Sequence, residues 1–162
     1  MADGVLLDTS FLISFVDSGQ PDHPVAVEYF QHFVSEGVPM FLSTIVASEF
    51  GLKQSPADLL QLGAFIVLPF NLGDAMAAAE LDFTRFKGSA PRVVLKDDFK
   101  VLGQAAANDV QYIITGDKGL HAICSDLRKE RKLRTWSICM SDGFSHSHFD
   151  ASKQTTFEDL KS

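Results

Sequence analysis

Asp8, Glu49, Asp98 and Asp117 are the residues of this chain whose type and placement could do chemistry together. Asp8 directly follows the apolar run Val5-Leu6-Leu7, and Asp117 follows Tyr112-Ile113-Ile114-Thr115. If both runs are strands of an open α/β sheet, both acids stand at its carboxyl edge, where the functional crevice of such sheets lies. Glu49 falls a little more than one turn into the helical stretch after Met40-Phe41-Leu42. Helical side chains lean toward the N-terminus, so Glu49 can reach back to the same edge. Asp98, with Asp97 beside it, is expected in the first turn of a helix over 96–108, which a loop would have to bring over the edge. Taken singly, an Asp at a strand-to-helix junction is an ordinary helix cap, and Glu49 an ordinary solvated helix residue. The mapping of all four to one end of the sheet is what points to chemistry. Carboxylates crowded without bases raise one another's pKa, and a divalent cation removes that conflict. Hard oxygen donors favour Mg²⁺ or Mn²⁺. Such ions can generate a hydroxide nucleophile and stabilise the leaving oxygen of a phosphodiester, so metal-assisted phosphoryl cleavage is the expected reaction.

The elements that must position these acids follow from the apolar spacing. Val5 to Leu7, Met40 to Leu42, Phe65 to Leu68, Tyr112 to Thr115 and Leu133 to Ile138 read as short apolar strands. Between them, helices are predicted after Asp8, over 21–37, from Ser43 or Thr44 as cap, from Pro56 with Ser55 as cap, over the alanine-rich 73–86, over 96–108, and after the turn Gly116-Asp117-Lys118-Gly119. Four or five strands separated by helices imply parallel pairing through right-handed crossovers, with helices on both faces. The fold class is therefore α/β, a three-layer sandwich around a central, mainly parallel four- or five-stranded sheet. Beyond about Met140 the composition turns to Ser, His, Asp and Thr, which reads as a less ordered tail or a partner-binding extension.

The segments VLLDTSFLISF around Asp8, STIVASEF around Glu49, and DFKVLGQAAANDVQYIITGDKGL from Asp98 to Leu120 resemble the PIN-domain nucleases. The likeness is closest to the single-domain members that act as toxins in VapBC-type toxin-antitoxin pairs, and it runs from about residue 4 to 139. It implies a PIN-like nuclease domain over 1–139 and a polar C-terminal extension over 140–162. It also implies that Asp8, Glu49, Asp98 and Asp117 form an acidic quartet for RNA cleavage. Asp8, Asp98 and Asp117 would hold Mg²⁺ or Mn²⁺, and Glu49 would complete the site or orient water. Ser10 and Thr115 are similar to the polar residues that the family sets beside the quartet. The third acid is doubled here, and the distance to Thr115-Gly116-Asp117 favours Asp98, with Asp97 in support. Lys100 stands where the family has an apolar residue. An endoribonuclease acting on single-stranded or looped RNA is implied, with an antitoxin protein and a second copy of the chain as expected partners.

Composition sets the outer bounds. The 162 residues suit one globular domain, and 46% hydrophobic with 22% charged residues exclude a disordered or fibrous chain. Cys124 and Cys139 match neither a zinc spacing nor a disulfide framework, so a reducing compartment is expected. The start lacks a basic signal region and no apolar run approaches a membrane span, so a cytoplasmic protein without membrane contact is expected. The net charge of −7 hides an asymmetry, because every base except Lys53 lies beyond residue 84. A positive path for phosphates therefore remains available, with Lys96, Lys118, Arg128, Lys129, Arg131 and Lys132 as candidate RNA contacts. The cluster Arg128 to Arg134 reads equally as a solvated helix end offsetting the macrodipole. His146-Ser147-His148 with Asp150 could form a small metal site, although a polar tail offers no supporting shell. His121 reads as structural. No G-x-S-x-G, Walker A or G-x-G-x-x-G motif occurs, and phosphoaspartate chemistry lacks its second Asp because position 10 is Ser. Two rival readings are a non-catalytic PIN-like binding module and a metal-dependent DNA nuclease.

Overall fold

A computed structural model describes residues 2–63, 65–88 and 90–149. Five strands run through it: β1 (Ala2–Leu7), β2 (Met40–Ser43), β3 (Phe65–Leu68), β4 (Val110–Thr115) and β5 (Trp136–Cys139). They form one sheet in the order β3-β2-β1-β4-β5, and every pairing is parallel. Val5, Leu6, Leu7, Ile113 and Ile114 are fully buried. That explains why β1 and β4 read as unbroken apolar runs: helices cover both sheet faces, so no alternate position meets water.

The helices are α1 (Thr9–Val16), α2 (His23–Ser35), α3 (Thr44–Phe50), α4 (Pro56–Leu60), α5 (Leu72–Glu80), α6 (Arg92–Ala107) and α7 (Lys118–Lys129). Ser43 caps α3 by accepting from Ile45 N at 3.0 Å, and Ser55 caps α4 by accepting from Ala57 N at 3.3 Å. The chain reverses its direction of winding between β1 and β4, so the carboxyl ends of these two strands flank the switch point where open α/β sheets bind ligands. Leu6 pairs with Ile113 and Leu7 with Ile114, a register that carries Asp8 to the end of β4.

Three expectations are corrected. The helix predicted over 73–86 ends at Glu80, and Phe83–Phe86 forms a separate 3-10 turn. Asp82 adopts a left-handed backbone (φ 51°), its side chain accepting from Thr84 N at 3.3 Å, so a local Asp bond overrides the helical propensity around it. The helix predicted from Lys96 starts at Arg92, directly after Pro91, so Asp98 lies in its second turn and not its first. From Ala107 back to Asp98 is about 14 Å of helix, against about 17 Å for β4, which brings Asp98 nearly level with the strand's carboxyl end. No loop is needed to carry it there. Lys100 fits this register, because it is partly exposed and pairs with Asp97 at 3.1 Å, while Leu95, Phe99, Val101 and Leu102 take the buried positions.

The third correction concerns the chain after Cys139. Residues 140–149 are folded, with 3-10 turns at Met140–Asp142 and His146–Phe149. They strap back over α2 and β4. Tyr29, fully buried, donates its hydroxyl to Gly143 O at 2.9 Å and lies 2.6 Å from His148 Nδ1. The Tyr112 hydroxyl donates to Phe149 O at 2.7 Å, and the Phe149 ring packs on Phe33 and His32. His148 thus serves Tyr29, and Asp150 lies outside the described residues. Among the described residues, no helix is long and apolar enough to cross a membrane.

Candidate active site

Asp8 emerges from β1 with its backbone N–H bonded to Ile114 O at 3.1 Å, so the sheet itself sets its position. Its carboxylate is 8% exposed, and two hydroxyls donate to Oδ2: Ser10 at 2.8 Å and Thr115 at 2.7 Å. Ser10 in turn accepts from Gly116 N at 2.8 Å, and Thr115 Oγ1 accepts from Asp117 N at 2.9 Å. These bonds tie the β1–α1 turn to the β4–α7 turn and place Asp117 beside Asp8. Asp117 caps α7, its Oδ1 accepting from Gly119 N at 2.7 Å and Leu120 N at 3.2 Å. The capping role expected of a lone Asp is therefore real, and it uses one carboxylate oxygen. Glu49 is held by Thr9, whose hydroxyl donates to Oε2.

Asp98 sits where the charges of these groups meet. Burial, followed by the charges of Asp8, Asp117, Glu49 and Asp97, pushes its carboxyl up to about 8. Burial also raises Asp8 and Glu49, against the lowering effect of their hydroxyl partners. Glu49 is pushed up further by the charges of Asp8 and Asp97 and by a hydrogen bond with the Asp97 side chain. Asp97 and Asp98 are thereby distinguished. Asp97 turns to Glu49 and Lys100, whereas Asp98 lines a cleft with Asp117.

All four acids predicted from sequence are thus brought to one end of the sheet, with Ser10 and Thr115 between them. Thr9 was not foreseen, although a hydroxyl next to Asp8 at the start of α1 was the available signal. Among the described residues, no three His, Cys, Asp or Glu side chains close into a ready-made metal cage.

The candidate RNA contacts divide. Lys118 follows Asp117 directly and Lys96 lies two residues before Asp98, both exposed. Arg128, Lys129, Arg131 and Lys132 are not brought to the acids. They sit at or beyond the opposite end of α7, and Arg128 lies about 17 Å along the helix from Asp117. There Arg128 covers the Trp136 ring at 3.5 Å, Lys129 pairs with Asp126 at 3.7 Å, and Lys132 pairs with Glu130 at 3.9 Å. The cause is the direction of α7, which carries its C-terminus back toward the amino edge of the sheet. His121 reaches Ser137 Oγ through Nδ1, in keeping with a structural role.

Acids at the switch point of a wholly parallel sheet define an α/β protein with an anionic crevice at the carboxyl edge of its strands. Residues 5–125 match the PIN domain family, and the chain belongs to that family. No curated protein matches the sequence. Solved structures that share the fold include three of VapC or VapBC proteins. VapBC2 from Rickettsia felis, bound to a DNA fragment from its promoter, is 12% identical with a TM-score of 0.53, over 83% of this chain and 97% of that one. Mycobacterium tuberculosis VapC20, a toxin that cleaves the sarcin-ricin loop, is 15% identical with a TM-score of 0.54, over 74% and 94%. DNA-bound VapBC from Salmonella typhimurium is 17% identical with a TM-score of 0.53, over 85% and 98%.

Proposed function

We propose that this chain is a divalent-metal-dependent endoribonuclease and the toxin of a toxin-antitoxin pair. The observation that carries the reading is the burial of Asp98 at the point where the charges of Asp8, Asp117, Glu49 and Asp97 meet, which together lift it to about 8. Such a site is costly as a structural feature and useful as a cation site. The donors fit Mg²⁺ or Mn²⁺, because they are hard oxygens with no imidazole or thiolate among them. Asp8, Asp98 and Asp117 would hold the ion. When bound, such an ion would offset the carboxylate charge and polarise a phosphodiester toward attack by water. Ser10 and Thr115 fix the Asp8 carboxylate in orientation, and Thr9 fixes Glu49, which completes the site or orients the attacking water. Asp117 keeps Oδ1 on the α7 N-terminus, leaving Oδ2 for the ion. Lys118, exposed and next to Asp117, is suited to steering phosphates.

RNA as substrate, an antitoxin as partner and a second copy of the chain as dimer mate follow from the resemblance to VapC toxins. The test uses matched RNA and DNA oligonucleotides with the parent chain and Asp8→Asn, which keeps the carboxylate's shape. The parent should cleave RNA and spare DNA in Mn²⁺, and the variant should cleave neither. Equal cleavage by both proteins would remove Asp8 from the reaction. Cleavage of DNA alone would favour the DNA nuclease, and no cleavage of either by the parent the binding module.

A further inference from the structure

A cleft of about 190 Å³ opens beside Asp98 and Asp117 and runs between α6 and α7. Its walls are Phe86, Ala90, Val94 and Ile123, with Asp126 also on its lining. On α7, Gly119, Ala122, Ile123 and Asp126 fall on one face by their three- and four-residue spacing. A side chain at Gly119 would stand 3.0 Å from Asp117 Oδ1, so glycine leaves the capping oxygen uncrowded where α7 meets the cleft. The Phe86 ring is braced by the Arg85 guanidinium 5.0 Å from its centroid and by Phe99 at 5.6 Å. Arg85 is itself anchored to Glu130 at 2.6 Å.

We propose that this cleft receives the base of a nucleotide adjoining the cleaved phosphodiester, and that Asp126 favours bases carrying an exocyclic amino group. The inference rests on the nuclease reading, since the acids at the mouth are what would place a phosphate there. The volume lies below the roughly 300 Å³ at which pockets for drug-sized molecules begin, so it suits one ring system and excludes a base pair. An unpaired nucleotide is therefore the fitting substrate, and an apolar cleft with an aromatic wall is the surface on which unpaired bases dock. Asp126 lies about 14 Å along α7 from Asp117, which leaves room for a sugar and a base between the reacting phosphate and the carboxylate. A carboxylate only accepts hydrogen bonds. It suits the amino groups of adenine, cytosine or guanine, whereas uracil offers it only an N3–H flanked by two carbonyls that would repel it.

The test is a methyl NMR titration of the full chain in Mg²⁺ with AMP, UMP and ribose 5-phosphate as probes. AMP should shift the methyls of Ala90, Val94 and Ile123 saturably, and ribose 5-phosphate should leave them unmoved. UMP should bind about tenfold more weakly than AMP, and Asp126→Asn should narrow that gap. Phe86→Ala should weaken AMP by about tenfold, with Phe86→Leu as the milder variant should alanine unfold the turn. Shifts that are the same with ribose 5-phosphate, or AMP binding unchanged by both Phe86 variants, would overturn the proposal. Binding is read without turnover, so the two readings fail separately. AMP in the cleft of a chain that cleaves no RNA would support the subsite and remove the nuclease, and RNA cleavage by a chain whose cleft ignores AMP would do the reverse.

Discussion

Asp98 is a carboxyl group that the fold holds against its own ionisation. Its pKa near 8 stands above the roughly 3.9 of an unfolded Asp, so the folded state binds the extra proton. The stabilisation from that proton is complete below about pH 4 and is lost as pH rises through about 8. Asp98→Asn, which removes the charge and keeps the shape, should therefore melt higher than the metal-free parent at pH 8, with a smaller difference at pH 5. Each kcal/mol corresponds to about 2–4 °C, so differential scanning calorimetry can read the effect. A parent and variant with parallel pH profiles would show that Asp98 feels no such field. Thr9 allows a second test at this scale. Its hydroxyl orients Glu49 without being part of the quartet, so Thr9→Val should lower cleavage by about 10–100-fold while leaving the melting temperature nearly unchanged. Asp8 and Asp117 were legible because one follows an apolar strand directly and the other after a single glycine. Thr9 was not, since a single hydroxyl at a helix start has many ordinary uses.

At the scale of elements, α6 decides the geometry, because it carries Asp97 and Asp98 and packs on α5 at close quarters. A Cβ on Gly103 would lie 2.6 Å from Ala78 Cβ and 2.7 Å from that residue's backbone. Alanine gains about 1 kcal/mol of helix propensity over glycine, but overpacking against backbone costs about 1–3 kcal/mol or more. Gly103→Ala should therefore be destabilising overall, as urea denaturation would show through a lower midpoint at constant slope. The strands, their parallel pairing and the existence of each helix could be read from apolar spacing. Helix ends could not. Asp82 broke an alanine-rich run through a local backbone bond, and the start of α6 was hidden because Val93 and Val94 are exposed apolar residues with no periodic face. The direction of α7 is what separates the basic cluster from the acids, and it follows from the topology rather than from the cluster's own composition.

For the molecule as a whole, the segment 140–149 is part of the folded body. Its polar composition concealed two anchors, Phe144 and Phe149, which pack on α2 around Tyr29. Burial pushes the Tyr29 hydroxyl up to about 12, so it stays protonated as the donor to Gly143 O. Tyr29→Phe leaves that carbonyl and His148 without this partner and should cost about 1–3 kcal/mol by chemical denaturation. An unchanged midpoint would mean that the strap adds nothing to stability. The opposite feature is the gathering of Asp8, Glu49, Asp98 and Asp117 at one crevice, which we read as a cation site. Calorimetric titration of the metal-free chain with Mn²⁺ near pH 7, in buffers of different ionisation enthalpy, tests it directly. Saturable binding is expected, with release of about one proton as Asp98 ionises toward the ion, and loss of both in Asp98→Asn. No binding by the parent, or equal binding by the variant without proton release, would contradict it.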